Sequence, residues 1–267
     1  GAAEPANAVA LRGVDGDRRF YHQIRKGSAP QAFGSGGGEE LLTRLVVGSR
    51  IDTLATLVVP AGREEGSMTV GQGLVRRLTN RPLAAEDVVA VAHDGWVAIV
   101  RGQPFRVEWI QPGGQHTVGP LIVHEPIRVT AAERRAFLDA QVVPGQIIVR
   151  GAPGARAAPL PPSRGNVRPG ERPPPAGFDD ASLKWPTHKP PFLSNAALMG
   201  ADSRLWVLRT APHTDAIPHY DVFDRRGQLV LRVDLPPHTR LVGLGAGIVF
   251  VARTDDQDLQ YLQRYRL

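Results

Sequence analysis

The chain contains no cysteine. Disulfide bonds, thiolate metal sites and cysteine nucleophiles are therefore excluded. Aromatic residues make up only 6%, so a core has to be built mainly from valine, leucine, isoleucine and alanine. No apolar run approaches the ~18 residues of a membrane-spanning helix. We therefore expect a protein that lies at the periphery of a membrane rather than one that spans it.

Lysine is also scarce. Lys26, Lys184 and Lys189 are the three lysines, and arginine supplies nearly all the positive charge of a chain whose net charge is +6. Such a balance raises the hypothesis of a nucleic-acid binder. The arginines are spread along the chain, however, and no aromatic-interleaved RNA-binding motif is visible. We expect scattered surface charge and no nucleic-acid partner.

The chain is rich in glycine (29) and proline (24), which favours many turns and short strands over long helices. A strand-like run that ends in arginine, followed by a second strand-like run, recurs along the sequence; examples are WVAIVR, LWVLR and IVFVAR. The arginines of this repeat are Arg25, Arg101, Arg209 and Arg253. Arg253 follows Arg209 by 44 residues, within the ~40–45 residues of a four-stranded propeller blade.

The repeat predicts an all-β protein built as a β-propeller, with about four blade-like units. Stacked blades bury both faces of each sheet, which explains an uninterrupted apolar run such as residues 248–252. An open arc would leave a sheet face and backbone edges exposed and in need of a partner.

Two segments depart from the repeat. Residues 131–140 carry helix formers behind Thr130, with Glu133 three residues on, which predicts a short helix with a capping box. Residues 151–191 hold eleven of the 24 prolines and predict an extended connector that lies across its own domain or against a neighbouring subunit. The chain is thus divided into N-terminal blades at 1–150, this connector, and C-terminal blades at 192–267.

Several segments resemble one protein family. They are PFRVEWIQPGGQHTVGPLI, EPIRVTAAERRAFLDA, KPPFLSNAALMGADSRLWVLR and the tail from residue 220. These segments, roughly the C-terminal two-thirds of the chain, are similar to six-bladed β-propeller proteins of bacterial secreted and envelope type, which are distant relatives of the NHL-repeat propellers. The resemblance implies a periplasmic or extracellular location and little chemistry. It also implies six blades, so the four units counted here predict either an incomplete six-bladed ring or an open arc.

Candidate catalytic and metal-binding residues are sparse. The eight histidines form no HExxH motif, and the densest polar cluster, His213, Asp215, His219 and Asp221, is interpreted as a loop tip. A second acidic cluster, at Asp255, lacks the glycine and distal glutamate of a calcium loop and predicts a turn. Glu39 and Glu40 are interpreted as solvated loop charges, and Glu108 as the partner of a nearby arginine. We expect no catalytic, cofactor-binding or metal-binding residue, and no cofactor.

Three functional hypotheses remain open. The first is a non-catalytic scaffolding subunit that binds protein subunits of a larger envelope assembly; an extrinsic subunit of a photosynthetic reaction-centre or light-harvesting complex is one such place. The second is a periplasmic binding propeller for a ligand or peptide, and the third is a metal-dependent propeller hydrolase, which the scarcity of asparagine disfavours. The residues assigned to partner binding are Arg25, Arg101, Arg209, Arg253, Pro173, Pro174, Pro175 and Trp185. The alternative for the four arginines is that each caps its own blade.

Overall fold

The structure is a computed structural model. It describes residues 8–25, 38–46, 51–59, 65–70, 73–78, 82–141, 183–255, 257 and 259–266. The prolines Pro173, Pro174 and Pro175 lie outside the described residues, as does most of the predicted connector.

The described residues form antiparallel sheets whose strands follow chain order. Sheet 1 contains β1 (Ala8–Val14), β2 (Phe20–Arg25), β3 (Gly38–Leu45) and β4 (Ile51–Val59). A separate hairpin consists of β5 (Glu65–Val70) and β6 (Gly73–Leu78). Sheet 2 contains β7 (Val88–Val91), β8 (Val97–Gly102), β9 (Phe105–Ile110) and β10 (His116–Val118).

The C-terminal half continues the same pattern after one helix, α1 (Ala131–Gln141). Sheet 3 contains β11 (Phe192–Met199), β12 (Leu205–Arg209), β13 (His219–Phe223) and β14 (Leu229–Asp234). Sheet 4 contains β15 (Thr239–Gly245), β16 (Ile248–Thr254) and β17 (Gln260–Arg266). The predictions of an all-β chain and of a short helix at 131–140 are confirmed.

Successive sheets pack face to face. The first strands of the four sheets contact one another in chain order, β1 with β7, β7 with β11 and β11 with β15. One apolar cluster lies in each gap: Tyr21 and Ile99 belong to the cluster between sheets 1 and 2, Trp109 to that between sheets 2 and 3, and Trp206 to that between sheets 3 and 4. Within the described residues the sheets close neither a barrel nor a ring.

Strand β8 shows why the sequence has this form. Val97 and Ile99 face sheet 1, whereas Ala98 and Val100 face sheet 3, and all four are buried. Because successive side chains of a strand point to opposite faces, a strand between two sheets is apolar at every position. Strand β16 has the same composition but a different environment: Val249 and Val251 are buried, whereas Ile248, Phe250 and Ala252 are only half-buried. The prediction that residues 248–252 are buried on both faces is therefore wrong, because no described sheet packs on the second face of sheet 4.

A five-residue turn recurs at the hairpins. Its first N–H bonds the carbonyl of its fifth residue in the turns that begin at Asp15, Ala92, Gln111, Gly200, Asp224 and Asp255, with N–O distances of 2.8–3.2 Å. The fourth residue has positive φ in five of these turns, at Arg18, Gly95, Gly114, Ser203 and Gly227. Gly227 also permits close approach, because a Cβ there would lie 2.5 Å from the carbonyl oxygen of Val107 in sheet 2. This is the three-residue hairpin loop closed by a left-handed residue, and it confirms the turn predicted at Asp255.

The interpretation of one acidic residue as a solvated loop charge is wrong. Glu40, interpreted as a solvated loop charge, lies in β3 and is buried, where its carboxylate accepts a hydrogen bond from Gln23. Two adjacent acidic residues at 39 and 40 are typical of an exposed loop. A buried carboxylate needs a hydrogen-bond partner, and this partner, Gln23, lies 17 residues away and therefore leaves no local signal in the sequence.

Candidate functional site

The four repeat arginines occupy like positions. Arg25 and Arg209 are the last residues of β2 and β12, and Arg101 and Arg253 are the penultimate residues of β8 and β16. Each therefore stands near the end of the second strand of its sheet. The side chain of Arg25 is outside the described residues, and the side chains of the other three have different surroundings.

Arg101 joins two sheets. Its guanidinium lies 2.7 Å from Oδ2 of Asp87 and 2.7 Å from Oε2 of Glu108, and it donates to the carbonyl of Thr56 in sheet 1 at 2.8 Å. Burial alone would raise the pKa of Glu108, but hydrogen bonds from Arg101 and Arg106 outweigh it and hold that pKa below its usual value. The prediction that Glu108 pairs with a nearby arginine is confirmed.

Arg209 lies beside the carboxylate of Asp221, whose burial is not fully offset by hydrogen bonds. Asp221 is buried in β13; Nε of Arg209 is 3.3 Å from its Oδ1, and Nε of Arg232 is 3.4 Å from the same atom. Those distances suggest two ion pairs, yet Oδ1 receives no aligned hydrogen bond from any described residue. Desolvation therefore outweighs both arginines and raises the pKa of Asp221. Arg253, by contrast, is exposed at its strand end.

Helix α1 is tied to the strands by a buried glutamate. Thr130 Oγ1 accepts a hydrogen bond from the N–H of Glu133, which confirms one half of the predicted capping box. The other half is not formed, because the Glu133 side chain turns to other partners. The Glu133 carboxylate reaches Nζ of Lys189 at 2.5 Å and the N–H of His213 at 2.8 Å. Burial alone would raise the pKa of Glu133, but Lys189 and His213 outweigh it and lower that pKa. This contact joins the helix, the segment before β11 and the loop after β12.

Trp185 reinforces the same junction. Its ring meets the ring of Phe137 edge to face, with centroids 5.6 Å apart, and the guanidinium of Arg134 lies 5.9 Å from the indole centroid. Trp185 therefore packs on α1 by aromatic and cation–π contacts.

A groove of about 850 Å³ runs along this junction. Its walls are largely apolar, and Phe105, Leu121, Ile122, Val123 and Trp185 contribute to them. Val123 is 89% exposed. Carboxylates are absent from the described residues that line the groove, whereas Lys184 does line it. The volume and the apolar walls are those of a site for a small ligand or a short peptide.

A smaller polar pocket of about 410 Å³ adjoins the groove at His124. His219 lines it with both ring nitrogens engaged, Nδ1 at 2.6 Å from Asp234 and Nε2 at 2.9 Å from Asp215. Hydrogen bonds to Asp215 and to Asp234 raise the pKa of His219. The predicted polar cluster is thus divided: Asp215 and His219 form the rim of this pocket, and Asp221 lies buried in a strand.

No described sheet packs on the outer face of sheet 4, which is turned away from sheet 3. Its residues stand in three cross-strand rows: Arg240, Ala252 and Leu262; Gly243, Phe250 and Arg264; Gly245, Ile248 and Arg266. Leu262 is 71% exposed. The face combines an apolar centre with three arginines and carries no carboxylate in these rows.

Sequence reasoning located the repeat arginines but missed the Glu133 contact, the groove and this outer face. The apolar run at 248–252 was the available signal for the face, because a strand buried on one side rarely needs five consecutive apolar residues. Across the described ranges, no three histidine or acidic side chains are grouped so that they could hold a metal ion. In the same ranges no helix is long and apolar enough to cross a membrane.

No protein-family model matches this chain, and no curated protein matches its sequence.

Proposed function

We propose that the chain is a non-catalytic scaffolding subunit of β-propeller type, which binds a partner protein within an envelope or membrane-associated assembly. The observation that carries the proposal is the outer face of sheet 4. Residues 248–252 have the composition of a strand covered on both sides, as in β8, yet only one side is covered. An exposed apolar face rimmed by polar residues is typical of a protein–protein interface.

The arrangement of the sheets supports the propeller part of the proposal. Each sheet is a meander, and the first strands contact one another in chain order. In a propeller, blades stack radially and hide their apolar faces against each other. The uncovered outer face of sheet 4 is then the place where the next blade, or a partner, continues the stack.

The charges on the outer face of sheet 4 support a partner with an acidic surface. Arg240, Arg264 and Arg266 surround Phe250 and Leu262 without a carboxylate in the rows. A second copy using the same face would offer these arginines no acidic partner, because the rows carry no carboxylate. The partner we propose is a protein surface with an apolar centre and an acidic rim, on the periplasmic or extracellular side of the membrane. An extrinsic position on a photosynthetic complex is one setting that suits such a subunit.

The test compares two exposed residues. Leu262→Glu places a charge in the outer face of sheet 4, and Val230→Glu places the same charge on β14 of sheet 3, where Val230 is 47% exposed. In native membrane extracts, we expect the wild-type chain and the Val230→Glu variant to migrate with a large complex on size-exclusion chromatography, and the Leu262→Glu variant to migrate alone. Unchanged migration of the Leu262→Glu variant would overturn the proposal.

Two further outcomes also overturn it. If the purified chain binds anionic phospholipid vesicles through Leu262, the face contacts lipid rather than protein. If the purified chain dimerises and Leu262→Glu abolishes the dimer, a second copy covers the face.

The groove of about 850 Å³ favours a second candidate, a periplasmic binding propeller for a short peptide or ligand. Its test is a thermal-shift screen of apolar hexapeptides against the wild-type chain and a Val123→Glu variant. Because Val123 is almost fully exposed in the groove, its substitution should abolish binding without disturbing the fold. Equal shifts in both chains would exclude the groove.

A further inference from the structure

The last strand of sheet 4 has a free edge. Strand β17 pairs with β16 at seven successive positions, from Gln260 opposite Thr254 to Arg266 opposite Ile248. No described strand pairs with its other side, and sheet 4 has three strands where sheets 1 to 3 have four. The edge therefore presents a row of unpaired backbone N–H and C=O groups, seven residues long, to a further strand.

The last strands of sheets 1 to 3, which correspond to β17 in sheet 4, are protected against such pairing. Strand β10 has three residues. Strand β4 is paired with β3 through a register shift, and β14 is paired with β13 through another. Short strands and bulges are the devices by which natural sheets avoid edge-to-edge association. Strand β17 has no proline and no register shift, so its backbone is regular enough to receive a partner strand.

The side chains of β17 indicate which kind of partner strand would pair with it. Leu262, Arg264 and Arg266 lie on the outer face of sheet 4, and Tyr261 and Tyr265 on the opposite face. The strand contains two arginines and no acidic residue. Two copies of β17 paired antiparallel would place Arg264 opposite Leu262 and Arg266 opposite Gln260, so neither arginine would gain an opposite charge. An acidic strand would supply one to each, and the charge therefore favours a different, acidic strand.

We infer that the free edge of β17 receives an antiparallel β-strand from a protein partner, with acidic side chains opposite Arg264 and Arg266 and apolar side chains opposite Leu262, Tyr261 and Tyr265. Backbone hydrogen bonds supply most of the affinity in strand addition, and alternate side chains supply specificity. The inference rests on the proposed scaffolding function and names the chemistry of the partner.

The experiment uses the full chain and a fluorescent heptapeptide, Glu-Val-Glu-Thr-Val-Val-Thr, titrated to millimolar concentration with anisotropy as the readout. A peptide with lysine at the two glutamate positions should bind more weakly, by about two- to fivefold for each charge pair. A peptide N-methylated at alternate residues should not bind, because it lacks the donors that complete a ladder. The double variant Arg264→Glu, Arg266→Glu should prefer the lysine peptide. Arg240→Glu, on the same face but two strands away, should keep the wild-type preference.

Hydrogen exchange supplies an independent readout. In the chain alone, alternate amides of β17 should exchange rapidly, and the glutamate peptide should slow them. The inference is overturned if those amides are already protected without peptide, if no peptide binds, or if the N-methylated peptide binds equally well. A self-association that the double arginine variant strengthens also overturns it, in favour of a second copy. In each case the migration test at Leu262 still decides the proposed function separately.

Discussion

Replacement of Arg101 by methionine tests how sheets 1 and 2 are held together. Methionine keeps the length of the side chain but removes the guanidinium that contacts Asp87, Glu108 and the carbonyl of Thr56. The Asp87 and Glu108 side chains are 3% and 9% exposed, so both carboxylates would stay buried without their shared cation. Removing one partner of a buried ion pair costs about 3–5 kcal/mol.

The structure places Arg101→Met near the lower end of that range. Asp87 keeps hydrogen bonds from the N–H groups of Val58 and Gly102, at 2.8 and 3.1 Å. Glu108 keeps Arg106, 2.7 Å away. We therefore expect a loss of about 3 kcal/mol in the free energy of unfolding. With a urea m-value of about 3 kcal/mol/M, the unfolding midpoint falls by about 1 M.

The matched control is Arg253→Met. Arg253 occupies the corresponding position of β16 but is exposed, so its replacement should change the stability by no more than about 0.5 kcal/mol. The assay is equilibrium urea unfolding followed by circular dichroism. Adding Asp87→Asn and Glu108→Gln to Arg101→Met should restore most of the loss, because no buried charge is then uncompensated. If Arg101→Met matches Arg253→Met, or if the triple variant stays as unstable as Arg101→Met, the reasoning is refuted.

Two further predictions concern single carboxylate and histidine sites. Because Asp215 and Asp234 raise the pKa of His219, the native state binds more protons than the unfolded state above pH ~6.5, and the free energy of unfolding should fall as pH rises through the native pKa. Urea titrations from pH 6 to 9 should therefore show a shallower pH dependence of stability for a His219→Asn chain than for the wild type, and equal slopes would contradict the prediction. Since Asp221 is desolvated and its Oδ1 receives no aligned hydrogen bond within the described structure, Asp221→Asn should leave the stability of the protein unchanged or raise it by up to about 1 kcal/mol, whereas Asp87→Asn should lower it. Thermal unfolding of the two variants side by side tests this, and a clearly lower melting temperature for Asp221→Asn would contradict the prediction.

The second strands were the easiest to predict from the sequence, because β8, β12 and β16 are apolar runs that end in arginine. The first strands were missed. Strand β15 contains Gly243 and Gly245, which weaken a strand pattern, and β11 is interrupted by Ser194 and Asn195. These strands are shaped by contact with neighbouring sheets, which a local pattern does not record.

The candidate sites were predictable only in part. The like positions of Arg101, Arg209 and Arg253 followed from the repeat, but their different partners did not. Asp87 and Asp221 lie 14 and 12 residues from the arginines that they face, in strands or loops whose pairing is set by the fold. An apolar run indicates that a strand should be buried on two sides, but it cannot say that the strand belongs to the last sheet of the series.

The meander order of every sheet has a consequence for how the chain assembles. Each ladder joins strands that are neighbours along the sequence, so a sheet can form as a local unit before it meets the next, and few long loops have to close at the start. Within the described structure, sheets 2 and 3 are then secured from two sides, whereas sheet 1 packs on sheet 2 alone and sheet 4 on sheet 3 alone. Transient opening of the native protein should accordingly begin at these two outer sheets and leave the interior sheets intact.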